Sequence, residues 1–138
     1  MALVLDTGPI VAFLNSNDPD HESCKELIEQ TTEDLVIADP VLVEVDYWMA
    51  KLAGPKAWSE FAADVVDGAY RLEHIDDNDL RRAGDIEVKY ADLQLGFVDA
   101  SIVAVCERLG EKKLATLDRR HFAVVRPRHC KALTLLPA

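Results

Sequence analysis

Ala2-Leu3-Val4-Leu5-Asp6-Thr7-Gly8-Pro9 opens the chain with an apolar run, a carboxylate and a turn. A short continuous apolar run bounded by Gly and Pro is the pattern of a strand covered on both faces, as in a parallel sheet. Asp6 or Thr7 is placed to cap a following helix, and Pro9 to occupy its first turn. The reading is a strand from Leu3 to Leu5 and a short helix through Leu14, with Asp6 at their junction.

The alternation continues outward. Asn15-Ser16-Asn17-Asp18-Pro19 breaks the first helix, Asp20 to Glu29 reads as a second with Cys24, Leu27 and Ile28 on its buried face, and Leu35 to Ala38 reads as a strand. Asp39-Pro40 starts a helix to about Leu52, and Gly54-Pro55 separates it from another spanning about Lys56 to Val66. Tyr70 to Ile75 forms a third strand, Asp76-Asp77-Asn78 a cap, and Asp79 to about Tyr90 a polar, outward-facing helix. Beyond a loop containing Gly96 come a helix from Val98 to Leu109, stopped at Gly110, and strands Lys113 to Leu117 and Ala132 to Leu135. This order predicts an α/β fold in three layers, with a mostly parallel central sheet of four to five strands flanked by helices. Sites in such sheets form beyond the carboxyl ends of the strands.

At 138 residues and 15.3 kDa the chain has the size of one domain, taken as residues 1–138, with room for a core of its own. No stretch is long or apolar enough to cross a bilayer, so a soluble protein with no membrane partner is expected. The N-terminus lacks the pattern of a secretory signal. Cys24, Cys106 and Cys130 are odd in number and form no CxxC pair. Both features point to a cytoplasmic location, and the cysteines point away from a zinc site.

Four carboxylates stand at the starts or ends of these elements. Asp6 closes the first strand, Glu44 interrupts Val41-Leu42-Val43 and Val45, Asp99 precedes Ala100-Ser101-Ile102-Val103, and Asp118 follows Leu114-Ala115-Thr116-Leu117. Taken singly, Asp6 reads as a helix cap, Asp118 as a turn former and Glu44 as a surface carboxylate. Asp99 resists such a reading, because Ile102, Val103 and Cys106 lie at i+3, i+4 and i+7, and a carboxylate on an apolar stripe needs a partner. Asp6, Glu44 and Asp118 can share the rim at the carboxyl ends of the strands. Clustered carboxylates with no neutralising Lys or Arg repel one another, and a hard cation such as Mg²⁺ or Mn²⁺ relieves that repulsion. Hydrolysis of a phosphodiester suits such a site, since it requires no nucleophilic side chain.

The net charge of −10 and pI near 4.7 weigh against nucleic-acid binding, but the charge is segregated. From Lys112 to Lys131 the basic residues are Lys112, Lys113, Arg119, Arg120, Arg126, Arg128 and Lys131, against Asp118 alone. The strip is either a solvated surface or a phosphate-holding edge beside the acidic pocket, in which case Arg119, Arg120, Arg126 and Arg128 hold phosphates. His121 is either a phosphate contact or a half-buried residue packed beside Phe122, and His21, His74 and His129 have no ligand spacing. Tyr47, Trp48, Met49, Trp58 and Phe61 read as core, with any exposed part suited to a partner helix.

Leu3-Val4-Leu5-Asp6-Thr7, Glu44 on the helix after the second strand, Phe97-Val98-Asp99-Ala100 and Thr116-Leu117-Asp118-Arg119-Arg120-His121-Phe122 together resemble the PIN-domain ribonucleases. Within them, nearly the whole chain is similar to the VapC-type toxins of bacterial toxin–antitoxin pairs. The resemblance implies a PIN-like fold and an acidic quartet of Asp6, Glu44, Asp99 and Asp118 around Mg²⁺ or Mn²⁺. Asp6 and Asp99 are then the firmest ligands, and Thr7 supports the site through its hydroxyl. It further implies a metal-dependent endoribonuclease that cuts structured tRNA or rRNA to inhibit translation, a cognate antitoxin as its inhibitor, and a homodimer. Gly8-Pro9 departs from the pattern, since many relatives carry a small hydroxyl or apolar residue there.

Three rival readings remain in view. A phosphatase with an aspartyl nucleophile expects a second Asp where Gly8 stands. A housekeeping RNA-processing nuclease of the same fold uses the same quartet. A non-catalytic RNA- or partner-binding PIN module is expected to lose quartet members, and none is missing here.

Overall fold

Parallel pairing on both sides of the first strand sets the architecture of the computed structural model, which describes residues 1–138. Strand β1 (Ala2–Leu5) is buried at every position, which explains why its sequence shows no alternation. It lies between β2 (Asp34–Ala38) and β4 (Lys113–Ala115), with β3 (Arg71–Glu73) and β5 (Thr134–Leu136) at the edges, giving the order β3-β2-β1-β4-β5. All pairings are parallel, in the register Leu3 to Leu35 and Leu3 to Lys113 across the central strand. The chain therefore builds outward from β1 through β3, then returns to the other side of β1 for β4. That reversal is the topological switch point where open α/β sheets place their ligands.

Helices α1 (Thr7–Leu14) and α2 (His21–Gln30) connect β1 to β2, and α3 (Pro40–Leu52) and α4 (Pro55–Val66) connect β2 to β3. Helices α5 (Asp77–Lys89) and α6 (Phe97–Leu109) lead to β4, and α7 (Arg119–Val124) leads to β5. They flank a core in which Leu3, Leu5, Ile37 and Leu114 of the sheet meet Ile10, Met49, Ile86 and Ile102 of the helices, all fully buried. Pro40 and Pro55 sit in first turns, where the missing amide hydrogen costs nothing, and Gly110 ends α6 at a φ of 70°. No helix is long and apolar enough to cross a membrane.

Five local readings are corrected. Strand β3 is shorter than Tyr70 to Ile75, because Tyr70 packs its ring 5.2 Å from Phe61 and the Ile75 amide turns to donate to Asp39 Oδ1. Strand β4 ends at Ala115 rather than Leu117: the Thr116 amide still donates to Leu136 O, but the Asp118 amide folds back onto the Thr116 hydroxyl. Strand β5 begins at Thr134, not Ala132, where the Thr134 amide meets Lys112 O at 2.7 Å. Helix α7 was not expected; six residues are too few for a periodic signal. Helix α5 is not simply outward-facing, because Asp79, Ala83 and Ile86 are buried.

Charged groups fasten α5 to α6. Arg82 Nε and Nη2 donate to Glu107 at 2.8 and 3.0 Å, and Arg108 Nε donates to buried Asp79 at 3.0 Å. Asp76 and Asp79 form a reciprocal capping box at the start of α5. Asp76→Ala should therefore cost about 1 kcal/mol in urea unfolding, whereas exposed Asp77→Ala should stay within about 0.5 kcal/mol.

Candidate functional site

Asp6 is both the cap that its sequence position suggests and the buried centre of a larger network. Its Oδ1 accepts the Thr7 amide at 2.8 Å and its Oδ2 accepts the Thr116 hydroxyl at 2.8 Å. Its own amide donates to Ala115 O, which continues the β1–β4 pairing by one residue and fixes the carboxylate at the switch point. Burial pushes its carboxyl up to about 6 against the pull of these hydrogen bonds, and the charges of Asp99 and Glu44 push the same way.

The other three carboxylates come from three further elements. Glu44, one turn into α3, accepts the Thr7 hydroxyl at 2.6 Å. Asp99 stands in the first turn of α6, where the helix dipole favours an anion. Burial raises its carboxyl, the His121 hydrogen bond lowers it, and the charges of Asp118 and Glu44 raise it. Asp118 caps α7 and is more open than Asp99, with 42% of its side chain exposed against 21%. Asp6 thus feels Asp99 and Glu44, and Asp99 feels Asp118 and Glu44, so the fold brings all four to one rim.

Two residues take roles in the site that the sequence did not assign them. Thr116 is fully buried; its hydroxyl donates to Asp6 and accepts the Asp118 amide at 3.0 Å, tying together the loops after β1 and β4. His121 Nδ1 lies 3.1 Å from both Asp99 Oδ2 and Asp118 Oδ2. Buried Phe122 and Val125 anchor α7 and so turn His121 inward. Both stand in the Thr116-Leu117-Asp118-Arg119-Arg120-His121-Phe122 segment of the resemblance, but the sequence offers His121 only as a phosphate contact or a half-buried residue beside Phe122, not as the partner of Asp99 and Asp118. The Gly8 departure also has a physical reason: a Cβ there would lie 3.3 Å from Leu117 Cβ, so α1 starts pressed against the loop after β4.

The basic candidates divide. Arg119 and Arg120 are exposed on α7, next to Asp118 and His121, and Arg119 Nη1 donates to Pro137 O. Arg126 is held by its amide to the Tyr90 hydroxyl and by its guanidinium to Ala123 O. The Arg128 amide donates to Glu107, eight residues along α6 from Asp99 and so about 12 Å down the helix axis. Among the aromatic residues, Met49 and Phe61 are core while Tyr47 and Trp48 are about half exposed on α3. A cavity of about 580 Å³ lies between α2 and the C-terminal segment and includes none of the four carboxylates.

A five-stranded parallel sheet with four carboxylates gathered at its switch point defines an α/β protein with an acidic, cation-attracting rim. The model of the PIN domain matches residues 3–126, and the chain belongs to the PIN-domain family. It is 30% identical over 135 residues to ribonuclease VapC26 of Mycobacterium tuberculosis, covering 98% of this chain and all of that one. Its fold is similar to that of the crystal structure of Mycobacterium tuberculosis VapC20, described as a sarcin–ricin loop cleaving toxin. There the TM-score is 0.83 and the identity 22%, over 94% of this chain and 98% of the other. It is also similar to Rickettsia felis VapBC2 bound to a promoter DNA fragment, with a TM-score of 0.70 and 17% identity over 98% of this chain and 97% of that one.

Proposed function

We propose that this chain is a metal-dependent endoribonuclease, a single PIN domain over residues 1–138 that acts in the cytoplasm as the toxin of a toxin–antitoxin pair. Its substrate is a structured RNA of the tRNA or rRNA kind, and cutting it inhibits translation. The observation that carries this reading is the convergence of Asp6, Glu44, Asp99 and Asp118, from four separate elements, on one open rim. The full-length similarity to a ribonuclease supports it.

The donor chemistry fits a divalent cation. Carboxylate oxygens are hard anionic ligands suited to Mg²⁺ or Mn²⁺, and the raised Asp6 and Asp99 carboxyls mark a site that a cation relaxes. Asp6 and Asp99 would hold it directly, with Glu44 and Asp118 completing the ligands or holding water. A bound cation would supply positive charge to the scissile phosphate and acidify water enough for attack at neutral pH. The protein's own part is geometry: Thr116 and the Thr7 amide fix the two oxygens of Asp6, and the Thr7 hydroxyl fixes Glu44. Water is the nucleophile, a P–O bond breaks, and no side chain is modified.

Arg119 and Arg120 would hold phosphates flanking the scissile one, with Arg126 and Arg128 extending that path. The double change Arg119→Glu, Arg120→Glu should weaken RNA binding about tenfold at low salt, while Mn²⁺ binding changes by less than about threefold. Fluorescence anisotropy with RNA and calorimetry with Mn²⁺ measure the two effects separately. The partner is a cognate antitoxin, as in the toxin–antitoxin complex from Klebsiella pneumoniae that shares this fold. Exposed Val43 and half-exposed Tyr47, Trp48 and Leu52 on α3 offer an apolar face for protein partners, the antitoxin and the second copy of a homodimer.

The deciding experiment incubates the purified protein with total bacterial RNA and Mg²⁺ or Mn²⁺, then maps new 5′ ends with a chelator control. Because VapC20 is described as cleaving the sarcin–ricin loop, a ribosomal RNA loop is the first defined substrate to try. Defined cuts that vanish with chelator support the proposal; RNA left intact under both metals counts against it.

A further inference from the structure

Asp99, Asp118 and His121 place three ligand atoms within 4.8 Å of one another, and His121 is the only one of the three that the acidic quartet does not contain. Its Nδ1 lies 3.1 Å from an oxygen of each carboxylate. One ring nitrogen carries at most one hydrogen, so it cannot make a full hydrogen bond to both oxygens at once. Three donor atoms sharing at most that hydrogen leave an electron-rich centre between them.

The local fold holds the imidazole where it is. Asp118 caps α7 and His121 follows at i+3, so both side chains lie over the same helix end, and Phe122 and Val125 anchor that helix in the core. Asp99 arrives from the first turn of α6, a different element, so the three donors close on the site from two sides.

We propose that His121 is a ligand of the cation bound at this rim, beside Asp99 and Asp118, and that its imidazole biases the site toward Mn²⁺ over Mg²⁺. The inference rests on reading the rim as a cation site. Imidazole nitrogen is a poor ligand for Mg²⁺, which prefers oxygen, whereas the transition metals accept nitrogen and oxygen together. The unexpected helix α7 thereby gains a role, because it converts an all-oxygen site into a mixed one.

The test uses the full chain stripped with chelator and titrated with MnCl₂ or MgCl₂ alone. Calorimetry should show Mn²⁺ bound at least about tenfold more tightly than Mg²⁺ by the wild type. His121→Ala should lose most of that preference by weakening Mn²⁺, with Mg²⁺ affinity held within about threefold. Pulsed electron paramagnetic resonance of the Mn²⁺-loaded wild type should show coupling to a ¹⁴N nucleus, absent in the variant. That measurement needs only the wild type, so it decides the matter even where the variant fails to fold. Bound Mn²⁺ without nitrogen coupling overturns the proposal, and so does equal preference in wild type and His121→Ala. Metal-dependent RNA cutting without nitrogen coupling would sink the ligand assignment alone. Nitrogen coupling without RNA cutting would uphold it and sink the nuclease instead.

Discussion

Asp99→Asn is expected to lower RNA cleavage by roughly 10³-fold or more while leaving the fold intact. The side chains are nearly isosteric, so the change removes charge and little else. That charge sits in the first turn of α6 and interacts with Asp118, Glu44 and His121, which makes Asp99 the hub of the rim. The fold should not suffer, because removing one of several mutually repelling carboxylates relieves the apo protein. Its thermal midpoint in chelator should stay level or rise by a few degrees. Asp118→Asn is the informative companion. Asp118 is twice as exposed as Asp99, 42% against 21%, so water can stand in for part of its role and a smaller loss is expected. The readout is the initial rate at the cut sites mapped with wild-type protein, alongside circular dichroism melts. An Asp99→Asn variant that still cuts within tenfold of wild type would remove this carboxylate from the chemistry.

The carboxylates were readable from their joint pattern at the ends of elements, with Asp99 alone in open conflict with its neighbours. Asp99 on an apolar stripe is costly alone, and the fold sets it beside Asp6, whose capping position at the end of an apolar strand reads as ordinary by itself. The central sheet was readable for the related reason that strands buried on both faces have continuous apolar sequences, as β1 does. Edge strands β3 and β5 carry weaker patterns, because one side of each lacks a partner strand, and their bounds shifted by one or two residues. The site roles of Thr116 and His121 were hidden for another reason. Neither is anomalous in its local sequence, and their importance arises only when the loops after β1 and β4 come together. The packing of α5 was hidden too, since Asp79 looks like a solvated helix residue until Arg108 of α6 reaches it.

At neutral pH and without metal, Asp6→Asn is expected to make the protein more stable, not less. In the folded chain the Asp6 carboxyl is raised from 3.8 to about 6, so the fold binds its proton more tightly than the unfolded chain does. The stabilisation tied to that proton is fully present below pH 3.8 and is lost as pH rises through about 6. The full difference is about 3 kcal/mol. Asn keeps the acceptor for the Thr7 amide but turns an amide donor toward the Thr116 hydroxyl, so the net gain is on the order of 1–2 kcal/mol. Urea midpoints in chelator should therefore fall for the wild type between pH 4 and pH 8 more steeply than for Asp6→Asn, with the two nearly level at the acid end. Parallel pH curves would show that Asp6 carries no such cost. Adding Mn²⁺ at pH 8 should reverse the ranking, because a ligand that binds only the folded wild type adds stability by mass action that the variant cannot draw on. The same carboxylate that weakens the empty fold is then the one that makes the loaded site worth keeping.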